Sequence, residues 1–196
     1  MSKLNEKLVL HQTVYLRAIE PDDAVLLYKW YNDDQVNFGS NMKTVPYSLD
    51  QLRNDIVRGT YSSQTRVGLI ATVEDLPIGM GTIYTIDRIN RKAEVGIMIA
   101  ETDFWNKGYA TKIGYDLLRI CFEGLGLNRV YCSAYEYNRA SALLLATMGL
   151  TFEGVIRESY FRGDKFWDKS IYSILALEWY ERREDLRHLA GVTVDC

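Results

Sequence analysis

Apolar and polar positions alternate with period two over VYLRAI (residues 14–19), which predicts a strand. PDDAVLLYKWYND (21–33) places proline and acidic residues in a first turn and reads as a helix. SLDQLRNDIVRG (48–59) reads as a second helix, capped by Ser48 and stopped by Gly59. RVGLIATVED (66–75), LPIGMGTIYTID (76–87) and KAEVGIMIAE (92–101) are strand patterns joined tightly at DLP and RINR, an antiparallel meander. From about 108 to 123, Ile113, Leu117, Ile120 and Cys121 recur at helical spacing, and GLGLN ends that helix. RVYCSAY (129–135) is a further strand. Strand, helix, strand in that order predicts a right-handed crossover and a parallel pair. Asn138 caps a short helix, RASALLLATM, stopped by Gly149. TFEGVIRESYF and KFWDKSIYSILAL close the fold as a hairpin through RGDK, and the charged EWYERREDLRHL reads as helical. The expected fold class is α/β (α+β), one domain over 13–178 with a mostly antiparallel sheet and one central parallel crossover. An N-terminal extension (1–12) and a C-terminal helical tail (179–196) flank it.

Composition narrows the class. The chain has 196 residues, enough for one domain with a substantial core. With 47% apolar and 25% charged residues it has the balance of a soluble globular protein. No apolar run approaches the roughly 18 residues that cross a bilayer. MSKLNEKLVLHQ has neither a long apolar stretch nor a small-residue cleavage site. These features point to a cytoplasmic protein with no membrane partner. Cys121, Cys132 and Cys196 are far apart and odd in number, which suits a reducing compartment. There is no CxxC spacing, and His11 and His188 each lie near one end of the chain, so neither a metal site nor a His-centred triad is expected. A net charge of −3 argues against a general nucleic-acid binder.

The stretch DFWNKGYATK (103–112) follows a strand and opens a helix. Helix N-termini present unpaired N–H groups with partial positive charge, a natural seat for phosphate. Gly108 and Ala110 keep side chains clear of the amides of Asn106 to Thr111, and Lys107 and Lys112 add charge. The same composition also suits an ordinary strand-to-helix turn. Neither GxxxxGK[ST] nor GxGxxG is present, which excludes two common phosphate loops. In the preceding strand, Val95, Ile97 and Ile99 share one face, while Glu94, Gly96, Met98 and Ala100 share the other. One carboxylate beside small or flexible side chains reads as the wall of a slot, or as a half-exposed strand with a solvated Glu94.

AEVGIMIAETDFWNKGYATKIGYDLL, together with YCSAYEYNRASALLLATMGLTFEGVIRESYFRGDKFWDKSIYSIL, resembles the acyl-CoA-binding core of the GNAT superfamily of N-acetyltransferases. The similarity is to the branch of ribosomal-protein N-terminal and spermidine acetyltransferases. YLRAIEPDDAVLLYKWYND matches that branch's opening, so the resemblance spans residues 13–178. The family's phosphate loop has the form Q/R-x-x-G-x-G/A; here Trp105, Gly108 and Ala110 occupy the three positions. The resemblance implies acetyl-CoA as cofactor. Its pyrophosphate would lie on the amides around Asn106, Lys107, Gly108, Tyr109, Ala110 and Thr111. Its pantetheine would lie along the backbone of Met98, Ile99 and Ala100, as an added strand does. The strand at 92–101 would splay from that at 129–135 to admit it, and Asn138 would reach the cofactor near its thiol.

The implied activity is direct acetyl transfer to a primary amine in a ternary complex. Alkyl amines are mostly protonated at neutral pH, so a base is needed, directly or through water. The oxyanion that develops is best met by a backbone N–H. Glu94 is the candidate base, with Tyr135 as a possible water relay. Many family members carry a tyrosine seven residues after the asparagine to assist the leaving thiolate; here that residue is Leu145. Ser141 is the local substitute, with Tyr135 and Tyr137 in reserve. Cys121 and Cys132 are expected to be structural. Asp33, Asp34, Glu158 and Asp164 would make the acceptor mouth acidic, and tyrosines and tryptophans would line it. The acceptor classes are a protein N-terminus, a polyamine or a small amino metabolite. A non-catalytic acyl-CoA-binding module on the same fold is the alternative, with Leu145 as its main argument. Dimers are common in the family, and the aromatic C-terminal segment is compatible with a homodimer.

Overall fold

The computed structural model describes residues 14–38 and 45–191, with Phe38 described in its main chain only. The expected N-terminal extension, His11 and Cys196 lie outside the described residues. One seven-stranded sheet carries the fold: β1 (Val14–Ala18), β2 (Val67–Val73), β3 (Leu76–Asp87), β4 (Lys92–Ile99), β5 (Arg129–Tyr135), β6 (Thr151–Arg162) and β7 (Lys165–Leu175). Their spatial order is β1-β2-β3-β4-β5-β7-β6. Among the described strands, only β4 and β5 are parallel to each other, as the predicted crossover requires.

Alternation along the strands sorts side chains onto two faces. Ile83, Val95, Val130 and Ala134 face a large core with α4 (Tyr109–Arg119), α5 (Arg139–Thr147) and α6 (Ala176–Leu189). Ile70, Met80 and Ala100 face a smaller core with α1 (Ala24–Tyr31), α2 (Asp34–Phe38) and α3 (Leu49–Val57). Leu27, Trp30 and Leu52 fill that second core and are fully buried. The α6 segment is no detached tail. Trp179 is fully buried, with its ring 5.3 Å from Tyr115 and 5.7 Å from Phe122, so the core extends past the expected boundary at 178.

Several elements differ in detail from the sequence pattern. The segment 21–33 begins as a 3₁₀ turn at Pro21–Asp23 before α1, and α2 follows after a break. The side chain of Asn32 sets that break: it donates to the Tyr28 and Tyr47 carbonyls and accepts from the Tyr47 amide. The β2–β3 connection is Glu74-Asp75, both left-handed, so Leu76 and Pro77 belong to β3. A register shift between Ala71 and Thr72 falls where Pro77, which has no N–H to donate, meets the ladder. The helix expected over 108–123 ends its α-helical part at Arg119 and continues as a π-helical turn, Ile120–Gly124. Among the described residues, no helix is long and apolar enough to cross a membrane.

Candidate functional site: a splayed cleft

The parallel seam is short. Lys92, Ala93 and Glu94 of β4 pair with Arg129, Val130 and Tyr131 of β5, and the ladder stops there. Both strands run on, β4 to Ile99 and β5 to Tyr135, with β5 held on its other side by β7 up to Tyr135–Lys169. The result is a wedge. The Ala100 amide donates to the Ile78 carbonyl at 2.8 Å, which fixes the parity of β4. Met98, opposite Met80, and Ala100 therefore commit their main chains to β3, while Ile97 and Ile99 direct theirs into the wedge. Of Met98, Ile99 and Ala100, the three residues expected to line the cofactor, only Ile99 turns its main chain toward the wedge. Its carbonyl accepts from the indole N–H of Trp105 at 2.9 Å, so Trp105 ties the loop that follows to the end of the strand.

That loop is built as a concave row of amides. Asn106 has φ +58°, and Gly108, with φ +83°, is the residue before α4. Alternation of left- and right-handed residues turns successive N–H groups toward one point. Among the described residues, the amides of Asn106, Lys107, Gly108 and Ala110 donate to no protein acceptor. The Thr111 amide is different: it donates to the Gly108 carbonyl at 3.0 Å, so the expected cradle of 106–111 loses its last member. Lys112 is also committed. Its ammonium contacts the Asp116 carboxylate, with both side chains nearly buried, and so adds no free charge. Lys107 is exposed and lies 5.6 Å over the Phe104 ring. Tyr109 is buried against Phe104 and anchors the start of the helix.

Glu94 sits where the seam ends, on the face toward α1–α3 and opposite to the face that carries α4. Its carboxylate accepts from the Ser133 hydroxyl at 3.3 Å, across the opening. Alternation puts Tyr131, Ser133 and Tyr135 on this same face. Burial first, then neighbouring Tyr137, Tyr160 and Glu94, pushes the Tyr135 phenol up to about 12. It stays protonated at neutral pH and is suited to donate or relay a proton rather than to remove one as phenolate. Its ring stacks on Tyr137 at 5.5 Å and meets Tyr160 at 4.8 Å, and Trp167 stands edge-on to Tyr137. These rings form an aromatic wall beside the opening. Behind Glu94, β3 bulges between Tyr84 and Asp87. There Thr85 takes φ +46°, costly for a β-branched residue, and its hydroxyl lies 3.1 Å from that of Tyr131.

Asn138 caps α5: its side-chain oxygen accepts from the Ser141 amide at 3.0 Å. The Ser141 hydroxyl makes no hydrogen bond among the described residues. Leu145 is buried in the main core, so its position contributes no proton donor. Burial pushes the thiols of Cys121 and Cys132 up to about 12, which removes both as nucleophiles. Two of the residues expected to make the acceptor mouth acidic have structural roles as well. The Asp33 carboxylate accepts from the Gln35 and Val36 amides as a cap on α2, and Asp164 occupies the β6–β7 turn with φ +66°. Sequence reasoning missed Ser133, although the alternation of RVYCSAY places it beside Tyr135.

Residues 13–151 match the Acetyltransferase (GNAT) domain family. The chain belongs to the GNAT family. It is an acetyltransferase, and acetyl-CoA is its acetyl donor, as in other GNAT enzymes. It is 29% identical over 175 residues to YdaF of Bacillus subtilis (strain 168), a protein provisionally named a ribosomal N-acetyltransferase. That match covers 87% of this chain and 95% of YdaF. It is 25% identical over 176 residues to spermidine N(1)-acetyltransferase of Vibrio cholerae, covering 89% of this chain and all of that one. A crystal structure of spermidine N-acetyltransferase from Vibrio cholerae in complex with CoA and spermine superposes with a TM-score of 0.79 at 22% identity, covering 85% and 98% of the two chains. At that identity the superposition speaks for the GNAT fold alone.

Proposed function

We propose that this chain transfers an acetyl group directly to a primary amine within the wedge between β4 and β5. The observation that carries the reading is the arrangement of the two faces. A cradle of free amides opens α4 on one side, and Glu94 stands at the end of the seam on the other. Bound acetyl-CoA supplies a thioester. The amides of Asn106, Lys107, Gly108 and Ala110 fit its pyrophosphate, and the wedge-facing main chain of Ile97 and Ile99 fits its pantetheine arm. Glu94 accepts the proton of the incoming amine, directly or through water, and Ser133 holds its carboxylate toward the opening. The Ser141 hydroxyl, at the start of α5, and the neutral phenol of Tyr135 are the proton donors available to the departing thiolate.

The test is thiol release from acetyl-CoA against peptides, polyamines and aminoglycosides in parallel, with Gly108→Val as the loop variant. Turnover on at least one amine, with cofactor binding weakened in Gly108→Val, is expected; a side chain at φ +83° both strains the turn and fills the cradle. Buried Leu145 supports a second reading, a non-catalytic acyl-CoA-binding module. Acetyl-CoA binding with no thiol release on any amine would establish that reading instead.

A further inference from the structure

Arg66 precedes β2 and, by extension of the Val67–Ile83 register, stands opposite Tyr84 of β3. Tyr84 in turn pairs with Glu94. Arg66, Tyr84 and Glu94 thus form one row across the sheet on the face toward α1–α3. Tyr84 covers the strand beside the opening: a Cβ on Gly96 would lie 3.0 Å from its ring. The guanidinium carbon of Arg66 lies 4.9 Å from the Tyr61 ring centre and 5.0 Å from that of Tyr84. Two aromatic faces hold it, but rings do not accept its planar set of N–H donors. Its Nε is buried with no hydrogen-bond partner, and among the described residues no carboxylate lies within ion-pair distance. Asp55 of α3 acts on the same tyrosines, Tyr47 and Tyr61, yet forms no ion pair with Arg66. Other described arginines such as Arg17, Arg129 and Arg183 have acidic partners.

We propose that Arg66 is a specificity-determining residue that receives a carboxylate of the acceptor. This rests on the transferase reading above and names its substrate class. Arg66 and Glu94 are two strand spacings apart, about 10 Å. An extended peptide covers about 3.3–3.6 Å per residue, so a carboxylate about three residues from the reactive amine reaches Arg66. Free glutamate is too short to span the row. The acceptor is therefore a peptide or protein N-terminus with an acidic residue near its third position. A polyamine would bring a second cation against a guanidinium that has no counter-charge.

The experiment compares C-terminally amidated Ala-Ala-Glu and Ala-Ala-Gln, free glutamate and spermidine, with the full-length chain and with Arg66→Gln. The expected result is a kcat/KM at least about tenfold higher for the Glu peptide than for the Gln peptide, mostly through KM. Arg66→Gln should erase that ratio by bringing kcat/KM on the Glu peptide down to that on the Gln peptide. A ratio near one in the wild type, better turnover of spermidine or free glutamate, or an unchanged ratio in Arg66→Gln overturns the proposal while leaving the transferase reading intact. Titration with N-acetylated Ala-Ala-Glu amide separates the two further. Binding at least about tenfold tighter to the wild type than to Arg66→Gln, without turnover on any amine, sustains the Arg66 site and sinks the transferase reading. Equal or absent binding sinks the site. If Arg66→Gln does not fold, the wild-type kcat/KM preference between amidated Ala-Ala-Glu and Ala-Ala-Gln decides the matter alone.

Discussion

Gly79 of β3 is where the cleft wall is most sensitive to one added methyl. A Cβ at this position would lie 2.0 Å from the Met98 carbonyl oxygen, 3.0 Å from the Met98 carbonyl carbon and 2.9 Å from the Ile99 Cα. Carbon and oxygen normally come no closer than about 3.3 Å, so the main chain of β4 must retreat by about 1.3 Å. That displacement breaks good ladder geometry at the stretch whose neighbour, Ile99, lines the wedge. Overpacking costs about 1–3 kcal/mol and each lost ladder bond about 1 kcal/mol, while a stiffer unfolded chain returns about 0.4–1 kcal/mol. Gly79→Ala should therefore lose about 2–3 kcal/mol, or about 5–10 °C in Tm for a chain of this size. Gly114→Ala in α4 is the control. Its Cβ would meet the Met148 sulfur and terminal carbon at 2.4 Å, but these are the end of a flexible side chain. Ala also gains about 1 kcal/mol over Gly in a helix, so the net change should stay within about 1 kcal/mol. Urea unfolding measures both, and calorimetric titration with CoA should show weakened binding in Gly79→Ala only. A Gly79→Ala protein as stable as wild type, or less affected than Gly114→Ala, would refute the reasoning.

Three further expectations concern charge and thiols. Glu94→Gln should lower kcat by about 10²–10⁴ with CoA affinity unchanged by titration, and a wild-type rate would remove Glu94 as base. The Arg129 guanidinium beside Glu153, with the Ser173 hydroxyl, holds the Glu153 carboxyl down to about 2, below the usual value of about 4.3. A folded-state value below the unfolded one means that this contribution to stability is complete above about pH 4.3 and is lost as pH falls toward 2. In urea midpoints measured across that window, Glu153→Gln should therefore show a shallower decline than wild type. With Cys196→Ser in place, buried Cys121 and half-buried Cys132 should resist an aromatic disulfide reagent at pH 8 until urea is added, since desolvation holds both thiols near 12; prompt labelling of the folded protein would contradict that desolvation.

The strands were legible because their alternation survives in the structure; Val95, Ile97 and Ile99 do face the main core while Met98 and Ala100 face the other. The amide loop was legible from Gly108 and the helix behind it. What local pattern does not carry is long-range register. Nothing in KAEVGIMIAE indicates that Ile99, rather than Met98 or Ala100, directs its main chain into the wedge; the bond from Ala100 to Ile78 decides that. Lys112 reads as a phosphate ligand until Asp116, one turn on, is seen to hold it. The Glu74-Asp75 turn lacks the Asn-Gly signature of its class. Arg66 gave no signal at all, because its meaning depends on rings from two other segments.

Among the described residues, the ladder between the two halves of the sheet, β1–β4 and β5–β7, is three residue pairs long, closed at its near end by the Asn128 and Arg129 amides donating to the Arg91 carbonyl. A molecule seated in the opening therefore acts as a keystone and supplies connections the polypeptide lacks. By mass action, a ligand at a hundred times its Kd adds about 2.7 kcal/mol to stability, and spent CoA does this as well as the loaded form. Resistance to heat and proteolysis should then follow the surrounding CoA pool whether or not an acceptor is at hand, and a melting curve unmoved by saturating CoA would break that link.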